Sequence, residues 1–465
     1  MSTTLHERLE AVVGPGLIFH DPETLQTHSR DKWFASRLPD VVALPKTTEQ
    51  VSRILRFASE NRIPVTPRGG GVGYVGGCVP LEGGIALSLA GMNRIREIHV
   101  ADGVAVVEPG VVTGHLQAAA REKGLFYPPD PASLKECTIG GNIATNAGGP
   151  RCLKYGVTRP YILGLEVVLA SGEILRTGGR THKNKTGFDL IGPFVGSEGL
   201  LGIVTEAILR LIPHPPARAT ISASFATFAQ AADAVQKVLG EGYLPAALEI
   251  ADAFTLRAAR EYLGTAIIPD GEGHLLIDLD GQPDSVRGET ESLSRLIRSL
   301  GALHLESASG QEACEALWEL RRRFSQSLKS TGLTKLNEDI VVPRGRLVDL
   351  AEFAARLHAK HGFPVACFGH AGDGNIHTNL MAAHYDDPEV RQKVEVALDE
   401  LFAQVLAWGG AITGEHGIGI AKARWWPDAA SPVSRRVHQA IKTAFDPLGI
   451  LNPGKFVPAI PAGSH

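Results

Sequence analysis

Two glycine-bracketed turns in the last hundred residues hold the side chains best suited to chemistry. His370 and His377 flank the turn AGDGNI, and Glu415-His416 sit inside a second turn, GEHGIG. Imidazole nitrogens and a carboxylate oxygen together are ligands that Zn²⁺ or Mn²⁺ accepts. An imidazole also titrates near neutral pH and can take a proton from a substrate. The two pairs belong to different elements, so spacing alone does not join them. Separate surface or hydrogen-bonded histidines is the other reading. Arg321, Arg322 and Arg323 follow Ala316-Leu317-Trp318. They read as a solvated helix face, or as one arginine gripping a carboxylate through two N–H groups. Asn337-Glu338-Asp339 read as turn residues or as site groups.

A second kind of site lies upstream. TPRGGGVGYVGGCVP, residues 66–80, carries six glycines in fifteen positions. Glycine reaches positive φ at no steric cost and lets a ligand approach the backbone. A run this dense can aim several N–H groups into one concavity, which suits a phosphate, with Arg68 to complement the charge. A flexible surface loop is the bland alternative. The literal GxGxxG from Gly71 to Gly76 is not a Rossmann turn, because such a turn opens a helix and CVPLEGG follows here instead.

These stretches need a scaffold, and the chain can supply one. It has 465 residues, 44% hydrophobic and 21% charged, with a net charge of −4. That length predicts two to four domains. The balance and the lack of a basic run argue against nucleic acid as a partner. Five scattered cysteines without a CxxC exclude a readable zinc or iron–sulfur framework and suit a reducing compartment. The N-terminus does not read as a signal peptide, and no apolar run reaches membrane-spanning length. The expected location is cytoplasmic, with peripheral attachment at the inner membrane face left open.

Apolar periodicity predicts a helix over 47–61, short strands within 85–112, a helix over 115–123 and a hairpin over 161–176. Residues 125–149 are too rich in Pro, Gly, Asn and Ser to predict regular structure, yet their apolar residues argue for order. A strand over 203–211 ends at His214-Pro215-Pro216, which reads as a domain boundary. Beyond it, helices over 228–239, 285–300, 312–330, 347–361 and 389–408 mix with strands over 275–278, 340–343 and 364–369. This pattern predicts an α+β domain with an antiparallel sheet.

Seven stretches, taken together, resemble one family: PRGGGVG, PPDPASLKECTIGGNIATNAGG, KYGVTRPYILGLEVVLASGEILRTG, TGFDLIGPFVGSEGLLGIVTEAILRL, FGHAGDGNIH, GEHGIG and LNPGK, in order from about residue 38 to 457. It is the FAD-linked dehydrogenases and oxidases of the vanillyl-alcohol oxidase type, with a PCMH-type FAD-binding domain. Within it, the chain is similar to the D-2-hydroxy acid branch, which includes D-lactate dehydrogenase, the glycolate oxidase flavin subunit and D-2-hydroxyglutarate dehydrogenase. Val72 and Leu200 depart from the family pattern, where a small polar residue or histidine and a threonine are usual.

The resemblance implies an α+β chain in three parts. Residues 1–215 would be the two-part FAD-binding domain. Residues 216–444 would be a ferredoxin-like antiparallel cap carrying the metal site. Residues 445–465 would return to the flavin. Arg68, Gly69, Gly70, Gly71, Val72 and Gly73 would hold the FAD pyrophosphate. Pro129, Ser133, Thr138, Gly140, Gly141, Asn142, Ala144, Asn146 and Gly148 would line its second face. Glu198, Gly199, Gly202, Ile203 and Val204 would approach the adenine and ribose, and Asn452 the flavin ring. No histidine stands where a covalent flavin link would form, so FAD would be noncovalent. His370, His377 and Glu415 would bind Zn²⁺, or Mn²⁺. His416 would be the base, and Arg321, with Glu338 or Asn337 nearby, would meet the substrate.

The implied reaction oxidises a D-2-hydroxy acid, D-lactate foremost, with glycolate and D-2-hydroxyglutarate as alternatives. Electrons would leave to a separate cytochrome, quinone, electron-transfer flavoprotein or iron–sulfur subunit. Self-association as a homodimer stays open. An aryl-alcohol oxidase without a metal and a colourless metal hydrolase are the rival readings.

Overall fold

The computed structural model describes residues 4–264 and 270–458. Its contacts divide the chain into two units. Met1–Gly148, Gly156–His214 and Glu415–His465 make the first, and Gly149–Tyr155 and Pro215–Gly414 the second. The expected boundary near residue 215 thus has a counterpart after His214. The return to the first unit starts at Glu415 rather than at residue 445, and the brief excursion of Gly149–Tyr155 was not foreseen.

In the first unit the helix Thr48–Glu60 forms where the periodicity predicts it. Thr47 caps it by accepting from the Gln50 N–H, and Val51, Ile54, Leu55 and Ala58 fall on one buried face. On one side lies a four-stranded sheet, ordered Ile18–Phe19, Val41–Ala43, Ile85–Ser88, Val65–Arg68. A five-stranded antiparallel sheet runs Ile95–His99, Val104–Val107, Ile203–Arg210, Ile162–Val168, Ile174–Gly178. One core joins them: Val41, Ile54, Leu55 and Ile85 pack with Val168 and Ile203. The Thr48 hydroxyl donates to buried Glu166 at 2.6 Å.

Residues 125–149 are more regular than expected, because they contain the helix Ile139–Thr145. Its two glycines weaken it. The Thr138 cap on the Gly141 N–H and the burial of Ile139 and Ile143 outweigh that cost. The helix Pro432–Phe445 also escaped prediction. Its buried member is Lys442, whose ammonium donates to the carbonyls of Leu200 and Leu451 and pairs with Asp446 at 2.5 Å.

The second unit is built on a seven-stranded sheet with every pairing antiparallel. The order is His304–Ser309, Ala217–Phe225, Gly273–Gly281, Ala247–Asp252, Val365–His370, Asn375–Ala382, Thr334–Val341. Helices Ala253–Leu263 and Gln311–Ser330 cover one face through Leu256, Ala259, Leu320, Phe324 and Leu328, which pack on Ala251, Ala366, Phe368 and Met381. Ala231, on the helix Phe228–Gly240, sits against Gly273 on the opposite face. Among the described residues, no helix is long and apolar enough to cross a membrane.

The expected strand at 340–343 begins earlier, at Thr334. Asn337, Glu338 and Asp339 therefore lie within a strand rather than in a turn. Directly opposed residues share a sheet face. Asp339 opposes His377, Phe368 opposes His377, and Asn337 opposes Asn379. These side chains share the face that also carries His370 and Glu249, which oppose each other. Glu338 opposes Thr378 and so points to the other face.

Candidate functional site

In the first unit, the glycine stretch starts as the strand Val65–Arg68 and is followed by no helix before the strand Ile85–Ser88. Its loop lies so close to the segment 136–141 that a side chain would not fit. A Cβ on Gly69 would meet the Thr138 hydroxyl at 2.7 Å, and one on Gly70 the Glu136 carbonyl at 2.5 Å. Gly71 has φ +67°, a conformation that favours glycine. Val72 lies next to it, half-buried, and Gly73 accepts from the Lys32 N–H. The Arg68 guanidinium is turned back on the loop, donating to the Arg30 carbonyl at 2.8 Å and to Cys78 Sγ.

The second expected wall serves partly as scaffold. Asn142 is buried and donates to Thr113, while Asn146 takes φ +51° and accepts from the Arg159 N–H. The carbonyls of Pro129, Ser133 and Ala144 accept from Gln117, Glu136 and Glu198. Gly148 is buried at the point where the chain leaves the first unit. Gly202 is needed for packing, since a Cβ there would meet Val167 at 2.6 Å, and Ile203 belongs to the core. Val204 pairs with Val167 in the sheet.

Glu198 does something the sequence did not suggest. It is buried at φ +52°, and its two carboxylate oxygens accept from the N–H groups of Ile418 and Gly419 at 2.7 and 2.8 Å. Burial raises its carboxyl, and those two bonds oppose the rise. Asn452 donates to the carbonyls of Gly77 and Glu198, and its Oδ1 is buried without a partner among the described residues. The tight glycine loop and this unmatched acceptor beside it fit a bound FAD with N–H donors.

His416 stacks on Tyr74, ring centroids 5.4 Å apart, and its Nε2 is 3.9 Å from Glu415 Oε1. The Val75 carbonyl accepts from the N–H groups of both Ile420 and Ala421. The far end of the glycine stretch is thus fastened to the segment that follows the expected base. Tyr74, an aromatic between two glycines, was visible in the sequence but not singled out.

In the second unit, His370 and His377 are buried with their rings 5.4 Å apart, edge to face. His370 Nδ1 is 2.6 Å from Glu249 Oε1, and the Arg321 Nε donates to Glu249 Oε2 at 2.5 Å. Glu249 is the principal residue missed. It stands as the lone acid in the apolar run Ala-Ala-Leu-Glu-Ile-Ala, on a strand that was also missed. Burial opposes its charge, yet His370 and Arg321 outweigh burial and hold its carboxyl at about 2. With Nδ1–H donating to Glu249, the His370 lone pair lies on Nε2. That carboxylate–histidine pairing is how proteins orient a metal-binding imidazole, so the donor set fits a divalent cation.

Arg321 also lies over the Phe368 ring at 4.9 Å, and Lys335 over the same ring at 5.7 Å. Lys335 donates to the Ser325 hydroxyl at 2.8 Å, and burial, with repulsion from Lys329 and Arg321, lowers its ammonium to about 7. Two basic side chains thus flank one aromatic ring, and the sequence pointed to Arg321 alone of the two. Asp339 is fully buried. Its Oδ1 accepts from Asn375 at 2.6 Å, and its Oδ2 from the Thr413 hydroxyl and the Gly414 N–H, both at 2.8 Å. The structure thus joins His370 and Arg321 through Glu249, with His377 beside His370. Glu338 is left on the opposite sheet face.

Comparison with known proteins agrees with this architecture. Residues 39–178 match the FAD binding domain family, and residues 214–456 match FAD linked oxidases, C-terminal domain. The chain is 42% identical to the glycolate oxidase subunit GlcD of Bacillus subtilis, over 90% of this chain and 89% of that one. It is 34% identical to a D-lactate dehydrogenase of Anaerostipes hadrus, over 92% of each. A D-2-hydroxyglutarate dehydrogenase of Stutzerimonas stutzeri is 32% identical, over 98% of this chain and 99% of that one. In fold, the chain resembles p-cresol methylhydroxylase, with a TM-score of 0.79, 20% identity, and coverage of 97% and 96%. The chain belongs to the FAD-linked oxidoreductases, in the group that contains the glycolate oxidase subunit, D-lactate dehydrogenase and D-2-hydroxyglutarate dehydrogenase.

Proposed function

We propose that this protein oxidises a D-2-hydroxy acid, D-lactate foremost, to the 2-oxo acid, and passes the electrons to a separate acceptor. Bound FAD would supply the hydride acceptor, and a divalent metal, Zn²⁺ or Mn²⁺, would supply Lewis acidity toward the hydroxyl. His370, His377 and Glu415 would be the metal ligands. His416 takes the hydroxyl proton at Nε2, the ring nitrogen facing Glu415. Stacking on Tyr74 fixes the plane of that imidazole. Arg321 grips the substrate carboxylate, and Lys335, which also lies over the Phe368 ring, adds positive charge. Glu338 has no part in this, since its side chain points to the other face of the sheet.

One observation carries the reading. A single buried carboxylate, Glu249, bonds to both His370 and Arg321. It ties a metal-ligand candidate to a carboxylate-binding candidate, as a hydroxy acid held at both ends requires. The test is anaerobic visible absorption of the purified protein with D-lactate, then glycolate, then D-2-hydroxyglutarate, before and after chelation. Bleaching of the flavin by one of them, abolished by chelation, supports the reading. A flavin that none of them bleaches refutes the substrate class. Glycolate as the substrate is the second reading, favoured by the 42% identity to a glycolate oxidase subunit. Bleaching by glycolate and not by D-lactate would select it.

A further inference from the structure

The turn that carries Glu415 and His416 is held at each end by a buried carboxylate. Upstream, within the second unit, Asp339 Oδ2 accepts from the Thr413 hydroxyl and the Gly414 N–H. The same stretch is zipped to the strand Thr334–Val341, because Val341 and Ala411 exchange both backbone hydrogen bonds. A Cβ on Gly414 would collide with the Asn375 side chain, which itself donates to Asp339. Downstream, within the first unit, Glu198 accepts from the N–H groups of Ile418 and Gly419. Four residues separate Gly414 from Gly419, and Glu415 and His416 are the first two of them.

From these contacts we infer that Asp339 and Glu198 are positioning residues. Asp339 sets the backbone from which Glu415 reaches the metal, and Glu198 sets the backbone from which His416 reaches the substrate. This rests on the reading of Glu415 as ligand and His416 as base. A loop rich in glycine is otherwise free to wander, and catalytic groups must be held to a fraction of an ångström. A carboxylate suits the task because its oxygens accept several bonds at once. Buried N–H groups also need acceptors, so each carboxylate satisfies donors that would be costly if left unpaired.

The assignment separates the two ends by phenotype. Asp339→Asn places an amide N–H against the Gly414 N–H, or, if flipped, against the Asn375 amide. Either way the upstream peg loosens. Loss of such an outer partner typically costs about 10–100-fold in metal affinity. Glu198→Gln loosens the downstream peg, and its effect falls on the proton-transfer step.

The experiment uses the full chain with its flavin. Zn²⁺ and Mn²⁺ are titrated separately into metal-stripped protein by calorimetry. Amide hydrogen exchange is followed over residues 410–421, and flavin reduction is timed anaerobically with whichever of D-lactate, glycolate or D-2-hydroxyglutarate reduces the native protein. Asp339→Asn should raise exchange at the Gly414 end and weaken metal binding by about 10–100-fold while keeping the flavin spectrum. Thr413→Val, which removes one of the bonds to Asp339, should shift both readouts the same way by less, and Thr413→Ser should restore them. If Asp339→Asn does not fold, the Thr413 pair decides. Glu198→Gln should raise exchange at Ile418 and Gly419 and slow flavin reduction by about tenfold or more, with metal affinity close to native. Native metal affinity in both Asp339→Asn and Thr413→Val overturns the upstream assignment. Native reduction rates in Glu198→Gln overturn the downstream one. A native protein that binds neither metal overturns the ligand reading itself, a result distinguishable from equal binding by native and variant.

Discussion

Replacing Glu249 with glutamine tests the centre of the proposed site. The native carboxylate is 1% exposed and Arg321 13%, so water screens neither charge. Two charge-assisted bonds converge on it, at 2.6 and 2.5 Å. Each is worth about 1.5–3 kcal/mol. Glutamine can keep one of them as a weaker neutral bond, while its amide group faces the other donor. The loss also strands a buried guanidinium, and breaking such a pair costs roughly 3–5 kcal/mol. We take about 3 kcal/mol for the second unit. At about 2–4 °C per kcal/mol for a domain of its size, its calorimetric transition should fall by roughly 6–12 °C. Zn²⁺ affinity should drop about 10–100-fold, because His370 loses the partner that orients it. A shift under about 2 °C together with native Zn²⁺ affinity would refute the claim that Glu249 holds ligand and anchor together.

Four further outcomes are expected. His416→Ala should slow flavin reduction by about 10²–10⁴-fold without changing the flavin spectrum; near-native reduction in a stopped-flow assay would remove His416 as the base. Gly70→Ala forces a methyl against the Glu136 carbonyl and should yield protein short of flavin, read from the ratio of visible to ultraviolet absorbance. Burial lowers the imidazole of His274, which bonds to Ser222, to about 4, so the unfolded chain takes up a proton there that the folded chain refuses. The second unit should lose stability as pH falls from about 6.5 toward about 4, and His274→Gln should flatten that slope in melts taken across the range. Lys442→Met takes the cation from buried Asp446, which keeps the N–H donors of Ile450 and Leu451, and removes donors from two carbonyls, which should lower the melting transition of the first unit by several degrees.

How much of this was legible in the sequence depends on how local the signal was. The helix Thr48–Glu60 announced itself through a capping threonine and four apolar residues on one face. The hairpin over 162–178 did so through its Ser-Gly turn and two apolar runs. The strands Ala217–Phe225 and Ala247–Asp252 escaped because they are rich in alanine and serine and carry no clear alternation. Their identity comes from pairing with Gly273–Gly281 far along the chain, which local periodicity does not encode. Glu249 was lost with its strand. The motifs pointed to His370 and His377 because glycine turns bracket them. Asp339 and Glu198 look like ordinary acids in the sequence, and only long-range contacts reveal what they hold. Glu338 illustrates the converse: it sits beside Asp339 in sequence, yet the two-residue period of a strand sends it to the other side.

The excursion of Gly149–Tyr155 has a practical consequence for modularity. Lys154 and Tyr155 both bond to Asp280, near the end of the strand Gly273–Gly281 in the second unit. A recombinant fragment spanning 215–414 would lack both partners and leave that carboxylate with unmet bonds. Exchange of substrate specificity between relatives by swapping one contiguous block would meet the same fault. A working chimera must transplant the short loop at 149–155 along with the large block, so the heritable module is discontinuous in the gene.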